Sequence, residues 1–95
     1  MLRIEKVLDG SNTVFRLSGR IESKHIPELK RLIESSTPPV VLDLAEVRLV
    51  DLVAVRFLAL SEANGIELRD CSIFVGAWVR QEKALLSQRG WNTPD

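Results

Sequence analysis

Apolar and polar positions alternate in two different rhythms along this chain, and the changes of rhythm mark its elements. From Leu2 to Leu8, the apolar Leu2, Ile4 and Leu8 partly alternate with Arg3, Glu5 and Lys6, which predicts an edge strand with one wet face. Asp9-Gly10-Ser11-Asn12 is a turn cluster, because Gly and Asn tolerate positive φ. Thr13 to Ser18 then returns as the second strand of a hairpin, ended by Gly19. Lys24 to Ser36 takes up helical spacing: Ile26, Leu29, Leu32 and Ile33 fall on one stripe, with Lys24, Glu28, Lys30, Arg31 and Glu34 outside it. Ser23 is a candidate cap, and Pro27 is tolerable only in the first turn. The run Ser35-Ser36-Thr37-Pro38-Pro39 stops the helix.

Val40-Val41-Leu42-Asp43-Leu44 is apolar on both faces, as a central parallel strand would be. Ala45 to Val50 reads as a connecting loop that still carries buried-type side chains at Val47, Leu49 and Val50. Asp51 then opens a second helix from Leu52 to Ala63, with Asn64-Gly65 as a left-handed stop. Ile66 to Asp70 has no regular pattern. Cys71-Ser72-Ile73-Phe74-Val75 reads as a strand ended by Gly76, and Val79 to Arg89 as a third helix that returns Val79, Leu85 and Leu86 to the core. Trp78 and Trp91 flank that helix as apolar anchors. The order β-β-α-β-α-β-α implies an α/β fold with a mixed, mostly parallel four-stranded sheet, in one domain over residues 1–95.

The second helix is apolar on nearly every side, and such a helix must be covered all round or used as a surface. Val55, Leu58, Ala59 and Glu62 share one side and suit packing on the sheet. Leu52, Val53, Arg56, Phe57 and Leu60 spread over the rest, which is read as a docking surface for a protein partner. Transferring Phe57 and Leu60 out of water is worth about 1.5–3 kcal/mol each, so leaving both exposed is a sizeable sacrifice. On this reading, a charged residue at position 57 removes partner binding and leaves the fold intact.

Charge narrows the function. Thirteen basic residues cancel thirteen acidic ones, and the balance holds on either side of Val47, so binding to nucleic acid or acidic lipid has no electrostatic footing. The single cysteine, Cys71, excludes an internal disulfide and reads as an inert thiol in a buried strand. The amino terminus has no signal-peptide apolar core, and the Leu52–Leu60 run is too short to span a bilayer; a cytoplasmic protein is expected. His25 has no partner at ligand spacing, and no nucleophile stands with its base, so neither a metal, nor a cofactor, nor an enzyme is expected. Asp51 reads as a helix cap and Asp43 as a strand-end residue satisfying loop amides. Arg20, Arg48 and Arg56 are candidates to converge on an anion near the Asp51 turn, and Phe15, Phe57 and Phe74 are candidates to line a small-ligand cavity.

The chain resembles the STAS domain family of anti-sigma factor antagonists and sulfate-transporter tails. Leu17-Ser18-Gly19-Arg20-Ile21 resembles the family's L-x-G-x-I/L, Val40 to Leu44 its V-V-L-D-L strand, and Val47 to Asp51 its V-x-F/L-I-D. Gly65, then Ile73, Val75 and Gly76, and Leu85-Leu86 before Gly90 follow its closing pattern. The resemblance implies a non-enzymatic interaction domain that docks a partner at the start of the second helix; joined to the apolar surplus of that helix, this makes Arg48, Asp51, Leu52, Val53, Arg56, Phe57 and Leu60 the expected contact residues. Arg48 and Arg56 would set orientation at the rim. Members that act as phosphorylation switches carry Ser or Thr directly after the aspartate. Here Leu52, Val53 and Ala54 follow, and none of them accepts a phosphate, so that switch is absent. The implied partner is a kinase-type anti-sigma factor; the alternative setting is a small STAS subunit of a lipid-transport ABC system. A homodimer is compatible with either.

Overall fold

In the computed structural model, which describes residues 1–88, a four-stranded sheet carries three helices. Strand β1 (Leu2–Asp9) turns at Gly10-Ser11 into β2 (Asn12–Ile21), and Gly10 has the positive φ, 63°, that a two-residue hairpin demands there. A short 3₁₀ turn (Ser23–His25) leads into α1 (Ile26–Glu34), then β3 (Val40–Val50), α2 (Leu52–Ala63), β4 (Glu67–Arg69) and α3 (Ile73–Gln88). The spatial order is β1-β2-β3-β4, with β1 antiparallel to β2 and the remaining pairs parallel. Fold class, strand number and sheet composition agree with the expectation from the sequence.

Two successive crossovers of the usual right hand between neighbouring strands bring α1 and α2 to the same face. One continuous core results. Phe15, Leu17, Leu42 and Leu44 supply its floor, and Ile26 and Leu29 of α1, Val55 and Leu58 of α2, and Val75 and Val79 of α3 supply its roof. The opposite face of the sheet buries only Val14 and Val41, and there Arg16 reaches between Glu5 and Asp43 at 3.9 and 3.8 Å.

Several boundaries differ from the sequence reading, each for a physical reason. β2 does not stop at Gly19 but runs through it to Ile21. Gly19 has φ 95°, and a Cβ there would lie 2.5 Å from the Met1 carbonyl oxygen; the glycine admits a close backbone crossing inside a strand rather than ending one. β3 continues through Ala45–Val50, which reads from sequence as a loop. Its register against β2 shifts twice, between Arg16↔Asp43 and Ser18↔Glu46 and again between Gly19↔Val47 and Arg20↔Leu49, so β3 carries two extra residues. Inward positions therefore run Leu42, Leu44, Val47, and the broken alternation hides the strand.

The first helix is a 3₁₀ turn followed by α1, and Ser23 is not its cap. Glu22 takes the cap position and donates its N–H to His25 Nδ1 at 3.0 Å. β4 occupies Glu67–Arg69, where no regular pattern was visible, and the strand expected over Cys71–Val75 is the approach to and first turn of α3. Ser72 Oγ accepts from the Val75 N–H at 3.1 Å and so opens this helix, while Gly76 lies within it. Trp78 packs half-buried against the core; Trp91 lies outside the described residues.

Candidate interaction surface

The surface is built around the junction between β3 and α2. Asp51 is held extended, and its carboxylate serves two helical starts at once: Oδ1 accepts from the Ala54 N–H at 2.8 Å, and Oδ2 accepts from the Ser23 N–H at 2.8 Å. The Asp51 N–H donates to the Ile21 carbonyl at 3.3 Å. The aspartate is thus a cap, as its place in the sequence implies, and also a clasp between the end of β2 and the start of α2. Asp43 works on a smaller scale, accepting the Ala45 N–H at 3.0 Å, within β3 rather than at its end.

Beyond the clasp, α2 buries Ala54, Val55, Leu58, Ala59 and Ser61. Ser61 avoids an unsatisfied hydroxyl by donating to the Phe57 carbonyl at 2.8 Å. The opposite side leaves Leu52, Val53 and Leu60 exposed at 41, 48 and 36%. Arg48 and Leu49, near the end of β3, are also exposed, but they line a separate small hollow with Met1 and Arg20. Phe57 is different, because it is half-buried and packs against the core. It lies in a groove of about 510 Å³ between α1 and α2, whose walls include Ile26, Ile33, Val53, Leu60 and Ile66 and whose polar rim includes Lys30, Glu34 and Asn64. The sequence reading missed this groove, since its α1 half lies about one crossover away in the chain.

Arg56 also departs from its expected place at a free rim. Its Nε lies 3.2 Å from Glu82 Oε1 of α3, and the Glu82 side chain is only 10% exposed. A second pair, Lys83 with Glu62 at 3.3 Å, joins the same two helices. Arg56 therefore neutralises a buried carboxylate first. Arg20 and Arg48 line one small hollow with Met1 and Leu49, so the three arginines do not converge. The Ala54 amide that an anion at this helix start would use is taken by Asp51.

The aromatic cavity does not form. Phe15 is wholly buried beneath the helices, Phe57 faces the α1–α2 groove, and Phe74 is 89% exposed at the start of α3. His25 is engaged through Nδ1 in its own turn. Cys71 sits half-buried between β4 and α3 rather than in a strand. Burial pushes its thiol pKa up and Glu62 adds to this, while Arg80 opposes it, an environment that disfavours the reactive thiolate. Among the described residues, no three His, Cys, Asp or Glu side chains gather to hold a metal ion, and no helix is long and apolar enough to cross a membrane.

A hairpin followed by two parallel crossovers, with an aspartate clasp where the second helix begins, defines the class: the chain has the fold of a STAS-like domain. It is similar in structure to an anti-sigma-factor antagonist STAS domain from Rhodobacter sphaeroides, with TM-score 0.54 and 15% identity over 76% of this chain and 92% of that one. It is also similar to a DUF3478 family protein with a SpoIIAA-like fold from Shewanella loihica, with TM-score 0.51 and 20% identity over 98% of this chain and 80% of that one. Compared by sequence alone, it matches no protein-family model and no curated protein.

Proposed function

We propose that the chain is a non-enzymatic interaction domain of a bacterial-type regulatory assembly in the cytoplasm, docking a protein partner through the start and outer face of α2. The observation that carries this reading is the exposure of Leu52, Val53 and Leu60 beside the Phe57 groove. Isolated exposed apolar residues are ordinary, but a group of them around an apolar groove marks an interface. Arg48, exposed near the end of β3, would orient the partner. Arg56 contributes from behind, holding α2 against α3 through Glu82. The likeness to an anti-sigma-factor antagonist supports a kinase-type anti-sigma factor as the partner class. With Leu52, Val53 and Ala54 after the aspartate, binding runs without control by phosphorylation at these positions.

Titration calorimetry against a purified kinase-type anti-sigma factor from the same genome tests this, with a lipid-transport ABC ATPase subunit as the second arm. Val53→Asp and Leu60→Asp should each weaken binding at least about tenfold, since each places a charge in a buried apolar contact. Binding that survives both substitutions unchanged would remove this surface from the mechanism. Binding to the ATPase subunit alone would move the domain to the transport setting.

A further inference from the structure

Asn12 and Asn92 each precede a threonine, whereas Asn64 precedes a glycine. An asparagine in that position is poorly protected from its own backbone, because the following glycine has no side chain to hold its nitrogen away from the amide carbon. Asn64 is the C-cap of α2, and Ala63, Asn64 and Gly65 are exposed in succession. A Cβ added at Gly65 would meet nothing within 4 Å, so the turn has open space around it. Its backbone is held by the Asn64 N–H donating to the Leu60 carbonyl at 3.0 Å and the Gly65 N–H donating to the Glu62 carbonyl at 3.1 Å. Exposed helix ends of this kind open at low cost. Asn64 also stands on the rim of the α1–α2 groove, together with Lys30 and Glu34.

We infer that Asn64 is a site of spontaneous deamidation, which places a new carboxylate on this rim. In the closed turn the ψ of Asn64 is 14°, and the Gly65 nitrogen is turned away from Cγ. Opening of the last turn of α2 frees that rotation and brings the two atoms together. The nitrogen gives its proton to hydroxide and attacks Cγ. A new N–Cγ bond closes a five-membered imide, the Cγ–Nδ2 bond breaks, and Nδ2 takes a proton from water and leaves as ammonia. Water then opens the ring. Cleavage of the new N–Cγ bond gives aspartate, and cleavage of the original peptide bond gives isoaspartate, whose chain runs through the former side chain. The net exchange is amide plus water to acid plus ammonia, and nothing is oxidised or reduced. Either product sets a negative charge at the negative end of the α2 dipole, on a rim that already carries Glu34. The charge that Leu52, Val53 and Ala54 cannot accept at one end of α2 thus arrives at the other. Its effect on docking rests on the α2 surface proposed above.

Incubation of the full chain for several weeks in mildly alkaline heavy-oxygen water at body temperature, followed by peptide mapping, reads the amide-to-acid mass gain at each asparagine. Conversion at Asn64 should run at least about tenfold faster than at Asn12 and Asn92, whose next residues are stiff and β-branched. Asn64→Gln would have to close a six-membered ring, so the gain in that peptide should disappear. An amide retained at Asn64, conversion no faster than at Asn12, or conversion confined to chain unfolded in urea overturns the proposal. Asn64→Asp carries the charge from the start. It should melt a few degrees below wild type and bind the anti-sigma factor at least about threefold more weakly. Equal binding by that variant would overturn the effect on the groove. The mass spectra decide the deamidation with no partner present, and Val53→Asp decides whether docking uses α2, so the two readings fail separately.

Discussion

Asp51 holds two helical starts with one carboxylate, and its replacements separate the two jobs. Asp51→Ala removes both acceptors. Losing the cap to Ala54 costs about 1 kcal/mol, and losing the charge-assisted bond to the exposed Ser23 amide costs about as much again once water is allowed to replace it. The sum is about 2 kcal/mol, a fall of roughly 8–16 °C in melting temperature for a domain of this size. Asp51→Ser keeps a hydroxyl that caps α2 but is too short to reach Ser23, 28 residues away in sequence. It should lose about 1 kcal/mol. Asp51→Asn retains one acceptor but turns an NH₂ toward a donor, and should fall near the serine variant. Urea unfolding, with m unchanged across the series, provides the measurement. A serine variant as stable as wild type would show that the clasp to Ser23 carries no energy, and an alanine variant equal to the serine one would show the same of the cap.

Phe57 packs against the core, so the expectation that a charge there leaves the fold untouched no longer holds. Phe57→Asp should unfold part of the population at room temperature, and Phe57→Ala should cost about 2 kcal/mol, whereas the exposed Val53→Asp and Leu60→Asp stay within about 0.5 kcal/mol of wild type in the same urea assay. The Arg56–Glu82 pair should respond asymmetrically. Arg56→Ala strands a carboxylate that is 10% exposed and should destabilise more than Glu82→Gln, which leaves a half-exposed guanidinium to water; equal losses would count against burial as the cause. Cys71 should react slowly with iodoacetamide near neutral pH and faster in urea. Since its thiol pKa is raised in the fold, the unfolded chain loses that proton first as pH rises. Stability should therefore decline above the ordinary thiol range, and Cys71→Ala should flatten that decline.

Local chemistry made part of this legible. The span Leu52–Ala63 follows from a capping aspartate, an apolar run and an Asn-Gly stop, all within a few residues of each boundary. The hairpin follows equally from Gly10. Elsewhere the local signal pointed the wrong way. Cys71 to Val75 is rich in the β-branched and aromatic residues that favour strands, yet the serine within it caps a helix whose inward residues, Val75, Val79 and Leu86, recur at helical spacing. β3 lost its second half to two extra residues that throw the alternation out of step.

The α/β class and the strand-helix order were therefore properties of the chain alone, since turns, caps and hydrophobic period act over one or two turns of backbone. The sequence also showed that α2 has more apolar surface than one sheet face can use. Which residues make up that surplus was a tertiary decision. The core took Phe57 in part, Glu82 claimed Arg56, and Leu52, Val53 and Leu60 were left outside. Those outcomes depend on partners 26 and more residues distant and on a register shift between strands, and no periodicity read along the chain encodes a distance across it.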